Sequence, residues 1–239
     1  MKISPAIKTS FKTALQTALL AVAAGAVALG VAGPADASAA TMYGDPAAAA
    51  KWWRHQKYDD CLLMASADVV GQMTGKEPSE AAIIKLAQNT PSTVHPGSIY
   101  VKPADKKHPN SGQGTSFGDL PALLGHYGVE VQMTDQSHSP KTGVATGIEA
   151  LEQYLGSGRK VIVDVNAEMI WGQPVETKDS DGNPVGDHAV VVTGIDTANG
   201  VVHLNDSGNE KGRDEQIPME LFTKAWATSD YFVVVTTDK

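Results

Sequence analysis

Cys61 is the only cysteine in a chain of 239 residues. A single thiol cannot close an internal disulfide or build a thiolate metal site. Its chemistry is therefore that of a nucleophile, or it has none and fills space as a small core residue. The polar run Gln56-Lys57-Tyr58-Asp59-Asp60 precedes it and the apolar run Leu62 to Met73 follows, which predicts a helix that begins at the thiol. The dipole and free N–H groups of a helix N-terminus favour a thiolate. Thiolate chemistry also needs a proton acceptor, and the seven histidines are His55, His95, His108, His126, His138, His188 and His203. His188 stands apart because it opens the β-branched stretch Ala189 to Thr193, just after the turn-rich segment Asp179-Ser180-Asp181-Gly182-Asn183.

A hairpin is predicted from there, with Asp196 to Gly200 as the loop and Val201 to Asp206 as the return strand. With Val192 facing Val202 and Val190 facing Leu204, His188 falls opposite Asp206 on one face, at a Cβ separation of about 4.5–5.5 Å. A carboxylate there orients the imidazole and favours its protonated form. Asn205 points to the other face in this register, and a β-bulge would reverse that preference. Gln56, just upstream of the thiol, supplies an amide suited to donating to an oxyanion. Trp171, beyond the strand predicted to end near Val165, is expected to border the cleft and contact substrate, whereas Trp52 and Trp53 are expected to pack the first helix.

At these residues the chain resembles the papain-like cysteine peptidases, specifically the group related to the double-glycine leader peptidases of bacteriocin exporters. The matching pieces are Gln56 to Cys61 in QKYDDC, His188 in GDHAVVVTGID and Asp206 in VVHLNDSG; Gly114-Thr115 before Leu120 and the Phe222 to Trp226 spacing are also similar. The resemblance implies a secreted bacterial hydrolase with nucleophile Cys61, base His188, orienting Asp206, and an oxyanion hole made by the Gln56 side chain and the Cys61 N–H. The reaction would be acyl transfer through a thioester, on a peptide or protein substrate, with cell-wall peptide among the candidates. Two departures stand out: Leu62 occupies the place of the family's usual Gly after the cysteine, and Asp187 that of a Gly before the histidine. They leave open an inactive relative that binds peptides in the same cleft; a cell-wall amidase or transpeptidase is a third reading.

Helices are predicted over Pro46–Gln56, Leu62–Met73, Ser79–Thr90, Leu120–Tyr127, Ile148–Leu155 and Met219–Trp226, with Gly75, Gly128 and Gly156 as stops. Strands are predicted over Val161–Val165, Ala189–Thr193, Val201–Leu204 and Tyr231–Thr236, and residues 91–115 read as irregular. Helices first and an antiparallel sheet later make an α+β fold, with N-terminal helices packed on a C-terminal sheet, in one domain over residues 40–239.

Lys2, Lys8 and Lys12, the apolar run Ala14 to Ala32 and the pattern Ala37-Ser38-Ala39 read as a secretory signal peptide over residues 1–39. That places the mature protein outside the cytoplasm, secreted or in the cell envelope, with no stable membrane insertion once the segment is cut. The alternative is an uncleaved anchor, since the run is just long enough to span. The remaining chain carries 16 basic and 26 acidic side chains, a net charge of −10, and has no basic run, which excludes nucleic acid as a partner. Asp179, Asp181 and Asn183 alternate like calcium ligands, but Pro184 and Val190 stand where that loop needs Gly and Glu, so a turn is expected. There is no His-Glu-x-x-His pattern. No metal or other cofactor is expected.

Overall fold

In the computed structural model, residues 41–105 and 111–237 are described; the predicted signal segment lies outside them. The sheet is assembled from strands β1 (Met42–Gly44), β2 (Val131–Thr134), β3 (Val161–Val165), β4 (His188–Asp196), β5 (Val201–Asn205), β6 (Glu215–Pro218) and β7 (Val233–Thr236). Their order is β2-β7-β3-β4-β5-β6, with β1 paired to the far end of β4, and every pairing is antiparallel. The β4 strand is long enough to hold two neighbours on one side, β3 along its first half and β1 along its last three residues.

Both faces of the sheet are covered. On one side lie Ile162, Ala189, Val191 and Val234, under α2 (Cys61–Thr74), α3 (Glu80–Asn89) and α4 (Leu120–Gly125). On the other lie Val161, Val163, Val165, Val190, Val192, Val233 and Val235, under α6 (Ile148–Gly156) and α8 (Met219–Ala227). Burial on both faces explains why these strands read as continuous Val/Ile runs rather than as alternations. Ten consecutive residues of α2, Leu62 to Gly71, are buried, so this helix is an interior element. Three short helices complete the chain: α1 (Pro46–Ala49), α5 (Ser139–Thr142) and α7 (Ala167–Ile170).

The predicted α+β class holds, and α2, α3, α6, α8, β3 and β5 lie within a residue or two of their expected bounds. The first helix is shorter than the expected Pro46–Gln56. Asp45 caps it through Ala48 N–H, Pro46 opens it, and after a 3-10 turn at Ala50–Trp52 the chain leaves in extended conformation at Trp53. The expected strand start at Tyr231 is a turn instead, with Asp230 and Tyr231 at φ 54° and 57°. The strands β1, β2 and β6 were not anticipated, being three or four residues long with few β-branched side chains.

The β4–β5 register also differs from the expected one. Val192 faces Leu204, Val191 faces Asn205, and a bulge between Val192 and Gly194 shifts the pairing so that Ile195 faces Val202. The connecting loop is Thr197 to Gly200. Beside the bulge β1 passes so close that a Cβ on Gly44 would meet the Thr193 carbonyl oxygen at 2.4 Å, and Gly44 has φ +87°; only glycine fits there.

Leu63 has no exposed surface and sits in the layer beneath α2. Leu63→Ala is expected to lower unfolding free energy by about 2–5 kcal/mol, measured by urea denaturation with an unchanged slope.

Candidate active site

Three elements converge where α2 begins. Cys61 is the first residue of this 14-residue helix, which is about 21 Å long. Its N-cap Asp60 makes no side-chain capping bond, so the first-turn N–H groups, which lack intrahelical partners, are left without a carboxylate acceptor from the cap. His188 opens β4, and Asp206 follows the last residue of β5. The imidazole Nε2 bonds Asp206 Oδ1 at 2.6 Å, and the Cys61 thiol lies close enough to the ring to favour its protonated form. With Nε2 engaged, Nδ1 is the nitrogen that remains for the sulfur. The histidine–aspartate contact is not a ladder pair, because the β4–β5 pairing ends at Val191 and Asn205. It is made where the two chains splay beyond that end.

Asp206 is fully buried, and every polar group it has is used. Oδ1 also accepts from Gly208 N–H at 2.7 Å, and Oδ2 from the Trp171 indole N–H at 2.8 Å. Its backbone carbonyl accepts from the Trp53 indole N–H at 2.6 Å, and its N–H donates to the Gly212 carbonyl. Gly208 is required by crowding: a Cβ there would stand 2.8 Å from Trp171 Cζ2 and 2.9 Å from His188 Cε1.

Burial alone would raise the Asp206 carboxyl, but the His188 bond and charge, with the Trp171 and Gly208 donors, hold it below the usual carboxylate range. Burial likewise works against a charged His188, yet the bonds to Asp206 and Cys61 and their charges outweigh it and raise the imidazole to about 10. The arrangement favours an imidazolium between two acceptors. Two other carboxyls nearby are raised. Asp60, buried beside the thiol, is pushed up to about 7 by burial and by Glu80, and Glu215 is raised by burial and by Asp206.

Gln56 is held against the residue after Asp206. Its N–H donates to the Ser207 carbonyl at 2.9 Å, and its Oε1 accepts from Ser207 Oγ at 2.8 Å. Its Nε2 donates one hydrogen to the Tyr58 carbonyl at 2.9 Å, leaving the second N–H. Trp171 lies at the rim, 37% exposed, with its ring centroid 5.3 Å from that of His188, while its N–H is committed to Asp206. Trp52 packs on α2 at Gly71, whereas Trp53 does more than pack the first helix, since it carries the bond to the Asp206 carbonyl. Leu62 is in the core and Asp187 accepts from Ala167 N–H at 2.9 Å. Asn205 bonds Asp68 and the Ala49 carbonyl. The Asp179 carboxylate bonds its own turn at Asp181 and Asn183. Sequence reasoning missed Trp53, Asp68 and Gly208, because long-range bonds to a strand end leave no local pattern. Among the described residues no cluster of three metal-ligating side chains occurs and no helix is long and apolar enough to cross a membrane.

An α+β papain-like fold with a thiol at the head of its buried helix defines a class, and the comparisons agree. Residues 54–232 match the Peptidase_C39 like family, and the chain belongs to it. An uncharacterized protein of Mycobacterium tuberculosis and one of Mycobacterium bovis are each 72% identical over 225 residues, covering 94% of this chain and 97% of theirs. Among solved structures, a Bacillus anthracis protein described as a C39-like peptidase aligns with TM-score 0.56 and 16% identity, over 83% of this chain and 98% of that one. It shares the fold.

The charged pair has a signature in stability. The depressed Asp206 contributes stability above its unfolded value of 3.8, lost as pH falls through its folded value. The raised His188 contributes fully below its unfolded value of 6.5, and loses it as pH rises toward about 10. The Tm difference between wild type and His188→Gln is expected to be largest between those two unfolded values and to shrink steadily above the upper one. A constant difference across the range would reject the pair.

Proposed function

We propose that the protein is an exported cysteine hydrolase that cleaves peptide amide bonds through a thioester. The observation that carries the reading is the buried Asp206–His188 hydrogen bond beside the Cys61 thiol at the N-terminus of a buried helix. The family and the fold support a cysteine peptidase type of chemistry, and the geometry is consistent with the following roles. The thiol proton passes to the imidazole of His188, which leaves the charge on sulfur. The sulfur attacks the substrate carbonyl carbon, a C–S bond forms, and the carbonyl electron pair moves to oxygen. The Cys61 N–H and the second N–H of Gln56 Nε2 are the donors for that oxyanion. Collapse breaks the C–N bond, and the departing amine takes the proton from His188. Water then attacks the thioester while His188 accepts its proton, the C–S bond breaks, and a carboxylic acid leaves.

Asp206 holds the ring orientation and stabilises the imidazolium. Trp171 covers the bond between them and borders the site where a peptide would lie. Leu62 and Asp187, the two departures from the family pattern, are engaged in the core and with the Ala167 N–H at the start of α7, which supports an active site over a dead one. Export rests on the Lys2, Lys8, Lys12, Ala14–Ala32 and Ala37-Ser38-Ala39 pattern, with Ala40 as the expected N-terminus of the mature chain in the envelope or medium.

The test needs no known substrate. At about pH 6, wild-type Cys61 is expected to react with iodoacetamide about tenfold faster than Cys61 in His188→Ala, with Asp206→Asn between them. With a peptide library as substrate, Cys61→Ala should abolish cleavage. Equal alkylation rates in wild type and His188→Ala would overturn the reading.

A further inference from the structure

Asp68 is a carboxyl inside the protein, 4% exposed, on the buried helix α2. It lies seven residues beyond Cys61, which is two helical turns and about 10.5 Å along the same stripe. Its Oδ2 accepts from Asn205 Nδ2 at 2.7 Å and its Oδ1 from Gln72 Nε2 at 2.6 Å. Asn205, 3% exposed, also donates from Nδ2 to the Ala49 carbonyl at 3.0 Å, and its Oδ1 accepts from Asp214 N–H at 3.2 Å. The next residue in the chain is Asp206, whose carboxylate holds His188. The contacts therefore form a circuit: Cys61, along α2 to Asp68, across to Asn205, one peptide unit to Asp206, then through His188 back to the sulfur.

We propose that Asp68 and Asn205 are a positioning pair, which fixes the height and rotation of the nucleophile's helix against the strand end that carries the aspartate. The inference rests on the thiol–imidazole reading above. Apolar packing between α2 and the sheet is non-directional and tolerates sliding, and one residue of helical slip is about 1.5 Å. A misplacement of that size at reacting atoms is enough to cost about a hundredfold in rate. The directional bond between two buried side chains removes that freedom. Asp68 is raised to about 6, mainly by burial, against its Gln72 and Asn205 bonds and the charges of Arg54 and Lys160. A buried carboxyl kept at that cost performs a task that an apolar residue would not.

The test uses the full-length protein and three variants. Asp68→Asn preserves both hydrogen bonds after rotation of its amide and of Gln72, and is expected to match wild type. Asp68→Leu removes the bond. Asp68→Leu/Asn205→Leu replaces both partners with apolar groups and leaves no orphaned amide at position 205, although it also unpairs the Ala49 carbonyl and the Asp214 N–H, so it is read beside the single variant. Two quantities are read in each: the alkylation rate of Cys61 and the pH titration of the His188 imidazole by 15N NMR. In the folded Leu variants, alkylation is expected to slow about tenfold and the His188 titration to move toward that of a free histidine, with Asp68→Asn unchanged in both. A folded Leu variant with the wild-type His188 titration overturns the positioning pair. So does Asp68→Asn behaving like Asp68→Leu. If instead alkylation never depends on His188 while the Leu variants still displace its titration, the pair stands and the hydrolase reading falls.

Discussion

A carboxylate with no exposed surface is tolerable only where hydrogen-bond donors surround it, and Asp206 imposes that requirement on everything near it. Five donors or acceptors meet its polar groups: the His188 ring, the Trp171 indole, the Trp53 indole, the Gly208 N–H and the Gly212 carbonyl. Removing any one leaves a buried group short of a partner, which typically costs about 1–3 kcal/mol. The requirement explains features that otherwise look unrelated. The first helix stops early so that Trp53 can reach the Asp206 carbonyl. The turn after β5 carries glycine at 208, because any side chain there would press on the rings of His188 and Trp171. The segment after β3 turns back through α7, which brings Trp171 over the site.

The electrostatics follow from the same enclosure. Burial disfavours charge on each member, yet the members neutralise one another, so the imidazole is raised and the carboxyl lowered together. Neighbouring carboxyls without such partners go the other way. Asp60, whose two oxygens have no hydrogen-bond partner, and Glu215 are both raised. The negative charge is thus concentrated at the one aspartate that faces the histidine.

Much of this was legible in the chain. A lone cysteine between polar and apolar runs marked the start of α2, and a histidine opening a Val-rich strand marked β4; both depend on local composition, which the fold preserves. The strand register was not legible. The bulge beside Val192 lies where β1 crowds against β4 at Gly44, a contact between segments about 150 residues apart. The true pairing sets Val192 against Leu204 rather than Val202, a slip of two residues, and an even slip keeps every side chain on its original face. That is why His188 and Asp206 still meet although their expected pairing was wrong. Asn205, weighed as the alternative partner for the histidine, points to the opposite side as expected of its neighbour in a strand, and there it bonds Asp68. The short strands β2 and β6 and the roles of Trp53 and Gly208 were invisible because their partners are distant.

The burial of Leu62 to Gly71 has a consequence in time rather than in space. A segment that is apolar on every side gains little from forming a helix in water and becomes stable only when other layers cover it. The cover on one flank is β3 and β4, strands far downstream of α2 and antiparallel to one another, and contacts of such sequence separation are slow to form. Until they dock, Cys61 has neither a helix behind it nor His188 beside it, and its sulfur is an ordinary thiol. The chemistry of the site therefore requires the docked sheet, and a chain whose sheet has not docked is silent by virtue of its topology.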